Sequence, residues 1–342
     1  MGVRATVKDR VLSGMQPSGA LHIGNWMGAL DNWVQIQDVF DSYFMVADYH
    51  SLTTGYHDTR DLPQKVLDMV IDWLAAGLDP ERSIIFRQSM VPEHAELHLL
   101  LSMITPLGWL ERVPSYKEKL KELAQRDIHT YGFLGYPVLQ SADIVLYQAD
   151  KVPVGQDQVP HVELTREIVR RFNGLYGEVL VEPEAVLTEA RVLPGLDGKK
   201  MSKSYGNTLS LGESQDSVKQ KIRTMVTDPA RIRRQDPGHP EVCPVFSLHK
   251  VFSDPKTVQE IEESCRQAAI GCVDCKSLLA SAINVKLDPI RERRLMWQSQ
   301  PERVEEILHE GARSAAELAH GTLNAVKDAM HLKPQPLNGN SW

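Results

Sequence analysis

The stretch "GMQPSGALHIGNW", residues 14–26, decides how the rest of the chain is read. A β-rich run, VLSGM (11–15), leads into it. A helical pattern from about Gly24 to Gln37 leads out, with Trp26, Leu30, Trp33 and Val34 on one face. The strand brings Gly14 and Gln16 to a sheet edge, and Pro17, Ser18 and Gly19 make a turn. Gly24 leaves room for a ligand to approach the backbone. Asn25 suits the start of the following helix, whose free N–H groups and positive dipole end favour phosphate. His22 can donate a hydrogen bond to an anionic oxygen. A turn that merely needs glycine would use some of the same residues, and the segment is neither GxGxxG nor a P-loop.

Working outward, SYFMVAD (42–48), SIIFRQS (83–89) and KVPVG (151–155) have the same short β-rich character. A second amphipathic stretch, about 61–76, aligns Val66, Met69, Val70, Trp73 and Leu74. Strands alternating with helices predict a parallel sheet covered on both faces, with ligands beyond the carboxyl ends of its strands. A long helical stretch is expected over about 94–125. Another helix is expected to start near Tyr136, placing Tyr136, Gln140 and Asp143 on one face. Beyond residue 210 helical patterns take over, at 214–226, 257–269, 275–290 and 302–330. The fold class is therefore α/β: a Rossmann-like parallel-sheet catalytic domain over 1–208, then an all-helical domain over 209–330. The last helix has the option of packing back on the first domain. Residues 331–342, with two prolines and several turn formers, are expected to carry little order.

The chain has 342 residues, 42% hydrophobic and 24% charged, the composition of an ordinary folded protein. No run approaches the roughly 18 apolar residues of a membrane span. The start, MGVRATVKDR, lacks the apolar core of a secretory signal, so a cytoplasmic location is expected. A net charge of −7 argues against a nonspecific nucleic-acid binder. Locally, Lys219, Lys221, Arg223, Arg231, Arg233 and Arg234 face only Asp216 and Asp228 over 214–234, which is either a solvated surface or a basic patch.

A second motif, "DGKKMSKSYGN", spans 197–207. Lys200 and Lys203 flank Met201 and Ser202, with Ser204 following, and Gly198 and Gly206 bracket the loop. Two ammonium groups on a glycine-hinged loop can close over a polyphosphate and follow charge as it develops.

All four cysteines, Cys243, Cys265, Cys272 and Cys275, fall in one window. A stable disulfide is improbable in a reducing compartment, which turns the cluster toward a metal site. Four thiolates suit tetrahedral Zn²⁺ or a [4Fe–4S] cube. With one short CxxC pair rather than two, the spacing departs from the usual zinc pattern.

The HIG that follows PSG-x-L, with KMSKS about 180 residues later, resembles the class I aminoacyl-tRNA synthetases. More narrowly, the chain resembles the tryptophanyl-tRNA synthetases in "VADYHSLTT", "EHAELHLL", "YPVLQSADIVLYQADKVPVGQDQVPHVELTREIVRRFN" and "TDPARIRRQDPG". HIGN stands where HIGH is the general signature, and Gln156 stands where the family more often has an acidic residue. The resemblance implies activation of L-tryptophan by ATP with Mg²⁺, then transfer to tRNA(Trp). It implies ATP contacts from Gln16, Pro17, Ser18, Gly24, Asn25, Gly155, Gln156, Asp157, Val192 and the loop Lys200–Ser204. Among these, Gln16, Lys200 and Lys203, with His22, take the catalytic roles. It assigns the indole N–H to Asp143, with Tyr136, Gln140, His50 and Gln158 around the amino acid. "GCVDCK" resembles the branch of the family that carries a [4Fe–4S] cluster, and zinc is the alternative. A homodimer is also usual there. Gln140 keeps tyrosyl-tRNA synthetase as the nearest rival, because tyrosyl enzymes pair a Gln with an Asp around a phenol. From other classes, a non-catalytic metal-cluster nucleic-acid-binding protein and a small nucleotidyltransferase compete. Neither accounts for both signatures together with the helical half.

Overall fold

The computed structural model describes residues 8–122, 128–187 and 192–333. The expected lack of order over 331–342 therefore lies, from residue 334 on, outside the described residues. Five parallel strands form one sheet: β1 (Arg10–Met15), β2 (Asp41–Val46), β3 (Ile84–Arg87), β4 (Lys151–Val154) and β5 (Glu184–Leu187), in the order β3-β2-β1-β4-β5. The chain winds outward from β1 in both directions, so the switch point lies between β1 and β4. These two strands pair only at Val11 and Lys151 and then splay. Pro153, which has no N–H to offer, sits on the splayed stretch.

Four strands match the expected runs, and β5 is an addition. Its sequence, EAVL, is short and mostly exposed at the sheet edge, so it carries no alternation to read. The first helix is three pieces: α1 (Ile23–Asn25), a π-helical turn (Trp26–Leu30) and α2 (Asp31–Ile36). Then come α3 (Asp48–Gly55) and α4 (Leu62–Ala76), the latter ended by Gly77 in the left-handed conformation at φ 115°. The single helix expected over 94–125 is instead α5 (Glu93–Ser102), α6 (Leu107–Leu110) and α7 (Pro114–Glu122). Pro106 and Pro114 each forbid a continuous ladder. Helix α8 begins at Tyr131, five residues before the expected start, because the Thr130 hydroxyl caps it by accepting from the Phe133 N–H. Helix α9 (Val159–Tyr176) follows β4.

The C-terminal half holds α10 (Gln215–Thr224), α11 (Pro244–Phe252), α12 (Pro255–Arg266), α13 (Cys272–Gln298) and α14 (Pro301–Ala329). Helix α11 was not expected, although Val245, Leu248, His249 and Phe252 give it a buried stripe; at nine residues with a proline at its start it is too short for the period to stand out. One apolar cluster runs from Leu21, Ile23 and Trp73 through Leu209 and Leu211 to Phe246, Ile283 and Leu287, so the two halves share a core. A second cluster joins α5, α8, α9 and the end of α14. Helix α14 lies directly on β3, with Gly311 against the Ile85 backbone.

Candidate functional site

A cavity of about 350 Å³ opens where β1 and β4 splay. Ser13, Gly14 and Gln16 line it from β1 and the residue after it, and Val154, Gly155 and Gln158 from β4 and the turn after it. Helix α8 supplies Tyr136, Gln140 and Asp143, and α3 supplies His50. All five residues expected around the amino acid thus line one cavity with Gln16 and Gly155. At Gly14 a Cβ would stand 3.1 Å from the Met45 carbonyl oxygen, so glycine permits the close strand approach at the cavity floor.

Asp143 is 2% exposed and already accepts three hydrogen bonds. Gln88 Nε2 and His94 Nδ1 donate to Oδ1, each at 2.7 Å, and His50 Nε2 donates to Oδ2 at 2.7 Å. Burial pushes this carboxyl up, but the charge and hydrogen bond of His50 and those of His94 more than reverse it, holding Asp143 well below the usual carboxylate range. His94 Nε2 lies 2.7 Å from the Tyr147 hydroxyl. Also lining the cavity, Ser115 Oγ, Tyr136 OH and His161 Nε2 form a closed triangle of 2.7, 3.0 and 3.1 Å. Gln88, His94, Ser115 and His161 were not among the expected site residues. The signals for two of them were His94 inside the resembling string "EHAELHLL" and His161 inside "VPHVELTR", where neither carried a role.

The two signature segments meet outside the cavity wall. Lys203 Nζ donates to the Ser18 carbonyl at 2.8 Å, to Ser18 Oγ at 3.2 Å and to the Gly19 carbonyl at 3.0 Å. Backbone bonds Ile23 N–H to Leu209 and Leu211 N–H to Leu21, both 2.9 Å, pin the first turn to the chain after the lysine loop. Met201 is buried and packs beside Gly24, where a Cβ would lie 2.9 Å from His22 Nδ1 and 3.6 Å from Met201 Cβ. Glycine at 24 therefore makes room for neighbouring protein as well as leaving the backbone approachable. Asn207, another residue not anticipated, staples the loop. It accepts from the Ser202 N–H at 2.8 Å and donates to Asp197 at 2.6 Å and to the Lys200 carbonyl at 3.2 Å. Lys200, Ser204 and Val192 are exposed, Ser202 is half-buried, and Gln156 and Asp157 lie exposed on the turn after β4. Pro17 is buried beneath the first turn.

The helix start differs from the expected one. His22, rather than Asn25, is the N-cap: its Nδ1 accepts from the Asn25 N–H while Asn25 Oδ1 accepts from the His22 N–H, both at 3.2 Å. This use explains an Asn at the fourth place of HIGN. The proton of a neutral His22 then sits on Nε2, leaving a donor for an anionic oxygen. Burial, and then the Lys203 charge, push this imidazole down to about 4. The unfolded chain binds that proton near 6.5, so stability that is complete above 6.5 is lost as pH falls toward 4. An NMR titration should show a His22 midpoint near 4, and a midpoint near 6.5 would contradict the buried cap.

Behind the first turn, Asp72 is fully buried. It accepts from the Leu21 N–H at 2.6 Å and from Arg294 Nε at 2.7 Å, tying α13 to the signature segment.

The cysteines gather at the ends of three helices: Cys243 caps α11, Cys265 ends α12, and Cys272 and Cys275 open α13. All are free thiols. Burial pushes Cys275 up to about 12, and the nearby Cys243, Cys265 and Cys272 add to that rise. Arg231 Nη1 lies 3.7 Å from Cys265 Sγ, and His249 Nε2 lies 3.5 Å from Cys275 Sγ. Among the described residues, no group of three or more His, Cys, Asp or Glu is arranged to hold a metal ion. Of the local basic run, Arg231 and Lys221 are spent on internal contacts, while Lys219, Arg223, Arg233 and Arg234 are exposed.

The family model described as tRNA synthetases class I (W and Y) matches residues 5–288. A tryptophan–tRNA ligase of Thermotoga maritima is 52% identical over 325 residues, covering 94% of this chain and 99% of that one. One from Ralstonia nicotianae is 44% identical over 394 residues, covering 95% and 98%. The crystal structure of a tryptophanyl-tRNA synthetase from Campylobacter jejuni, solved with ADP and tryptophan, superposes with a TM-score of 0.85 at 36% identity, covering 94% of this chain and 100% of that one.

Proposed function

The chain belongs to the tryptophanyl-tRNA synthetases of class I, and from that premise we propose how its residues carry out the family's reaction. The protein activates L-tryptophan with ATP and charges tRNA(Trp). A carboxylate oxygen of tryptophan bonds to the α-phosphorus, the bond to the β-phosphate bridging oxygen breaks, and pyrophosphate departs. Two anions must meet, so catalysis consists of holding them in line and neutralising charge. Tryptophan occupies the cavity between β1 and β4, its indole N–H on Asp143 and its ammonium and carboxylate near His50, Gln140 and Gln158. ATP lies over Gln16–Ser18, Gly155–Asp157 and Val192. His22 Nε2–H, with Lys200 and Lys203, meets the phosphates, and Mg²⁺ accompanies them. The observation that carries this reading is the buried acceptor, Asp143, at the wall of a cavity at the sheet's switch point. Charging of a tRNA(Trp) transcript with labelled tryptophan tests it. No charging by the intact chain would refute it.

The cysteines would hold a [4Fe–4S] cluster. Four thiols fit in number and type. They sit near enough to disfavour one another's ionisation, yet no three converge as on one ion. The single short CxxC pair departs from the two-pair zinc pattern, which favours the cube. When bound, the group supplies positive charge that lets the thiols ionise, and it ties three helix ends together. Anaerobically purified protein should contain about four irons and four sulfides per chain. Zinc without sulfide would point to the alternative.

The helical half, with its exposed arginines and lysines, meets the anticodon arm. Exposed Leu99, Met103, Leu107 and Tyr131, on α5, α6 and α8 and the turns between them, support a homodimer face. Among the described residues no helix is long and apolar enough to cross a membrane, and the location is cytoplasmic under this reading.

A further inference from the structure

We infer that Gln88 and His94 are positioning residues that set the choice of amino acid, by fixing the Asp143 carboxylate with one acceptor site open to the cavity. This rests on the reading of Asp143 as the indole acceptor. Neither residue lines the cavity, and both are fully buried. A carboxylate oxygen takes about two hydrogen bonds. Oδ1 has two, from Gln88 and His94. Oδ2 has one, from His50, so its second position is the one left.

The supporting groups are themselves oriented. Asp143, an ionised carboxylate, only accepts, so His94 Nδ1 carries the proton aimed at it, and the fully buried Tyr147 hydroxyl, 2.7 Å from His94 Nε2, holds the ring in that orientation. The Tyr49 N–H donates to Gln88 Oε1 at 3.1 Å, which assigns the Gln88 amide nitrogen to Asp143. Rotating the carboxylate would break both Oδ1 bonds at once. The acceptor therefore cannot swing away from an ill-matched ligand, and it has no proton to offer one. An indole N–H, a donor with no acceptor, completes the set. An analogue that replaces N–H by sulfur leaves a buried carboxylate oxygen short, which is costly.

The test is ATP–pyrophosphate exchange with tryptophan and with 3-benzothienylalanine, comparing the ratio of the two kcat/KM values. The wild-type enzyme should prefer tryptophan by orders of magnitude. His94→Leu should lower that ratio about 10–100-fold, the loss expected for a hydrogen bond to a charged group. His94→Asn, whose amide can stand in for Nδ1–H, should recover most of it. Equal losses on both substrates, with the ratio unchanged, would make His94 merely structural and overturn the proposal. Should His94→Leu fail to fold, Tyr147→Phe removes only the hydroxyl that holds the His94 ring from its far side. A drop of about 2–10-fold in its ratio is then expected, and an unchanged ratio counts against the proposal. A wild-type enzyme indifferent to the two amino acids would instead sink Asp143 as the indole acceptor.

Discussion

Lys203→Ala should slow tryptophan-dependent adenylate formation about 10²–10³-fold while leaving the fold intact, the cost of removing one preorganised donor from developing charge. The Lys203 ammonium rests on three neutral oxygens of Ser18 and Gly19, poised where the first signature turn would receive the triphosphate. It can exchange those oxygens for phosphate without moving the loop far. Charge builds on the leaving pyrophosphate as the reaction proceeds, so the loss should fall more on kcat than on the KM for ATP. Single-turnover adenylate formation measures this directly. A rate near that of the unsubstituted chain would remove Lys203 from the chemistry.

Gly311→Ala should destabilise the protein by about 3 kcal/mol or more. In a helix interior this exchange ordinarily stabilises by about 1 kcal/mol, so the expected sign is opposite to helix propensity. A Cβ at 311 would stand 1.9 Å from the Ile85 carbonyl oxygen and 2.7 Å from its carbon. The obstacle is backbone, and it belongs to β3, which is held in register to β2 by Phe44↔Ile85 and its neighbours. Relief requires α14 to move off the sheet, exposing Ala312, Ala315 and Ala319. A urea midpoint equal to that of the unsubstituted chain would mean that α14 does not lie on β3 as described.

The sheet and the two signature loops were legible because each is a local pattern. Short β-rich runs marked β1 to β4, and glycine with proline marked the turns. What escaped was nonlocal or patternless. β5 is four mostly exposed edge residues, and α11 is only nine residues long, with a proline at its start. The prolines at 106 and 114 were visible in the chain, yet the helical composition around them masked the breaks. A π-turn at Trp26–Leu30 has no residue signature. In the site, Asp143, Tyr136 and Gln140 could be grouped because they share one helix. Gln88 and His94 reach Asp143 from 55 and 49 residues away, and no spacing rule connects them. His22 as a cap was hidden because imidazole is an uncommon capping group, and only the geometry reveals the reciprocal bonds with Asn25.

The central claim is that the cavity beneath Asp143 selects tryptophan for reaction with ATP. Its most direct test is ATP–pyrophosphate exchange by the intact chain with tryptophan, with tyrosine and with no amino acid. Exchange with tryptophan alone is predicted. Exchange with tyrosine at a comparable rate, or none with tryptophan, would contradict it.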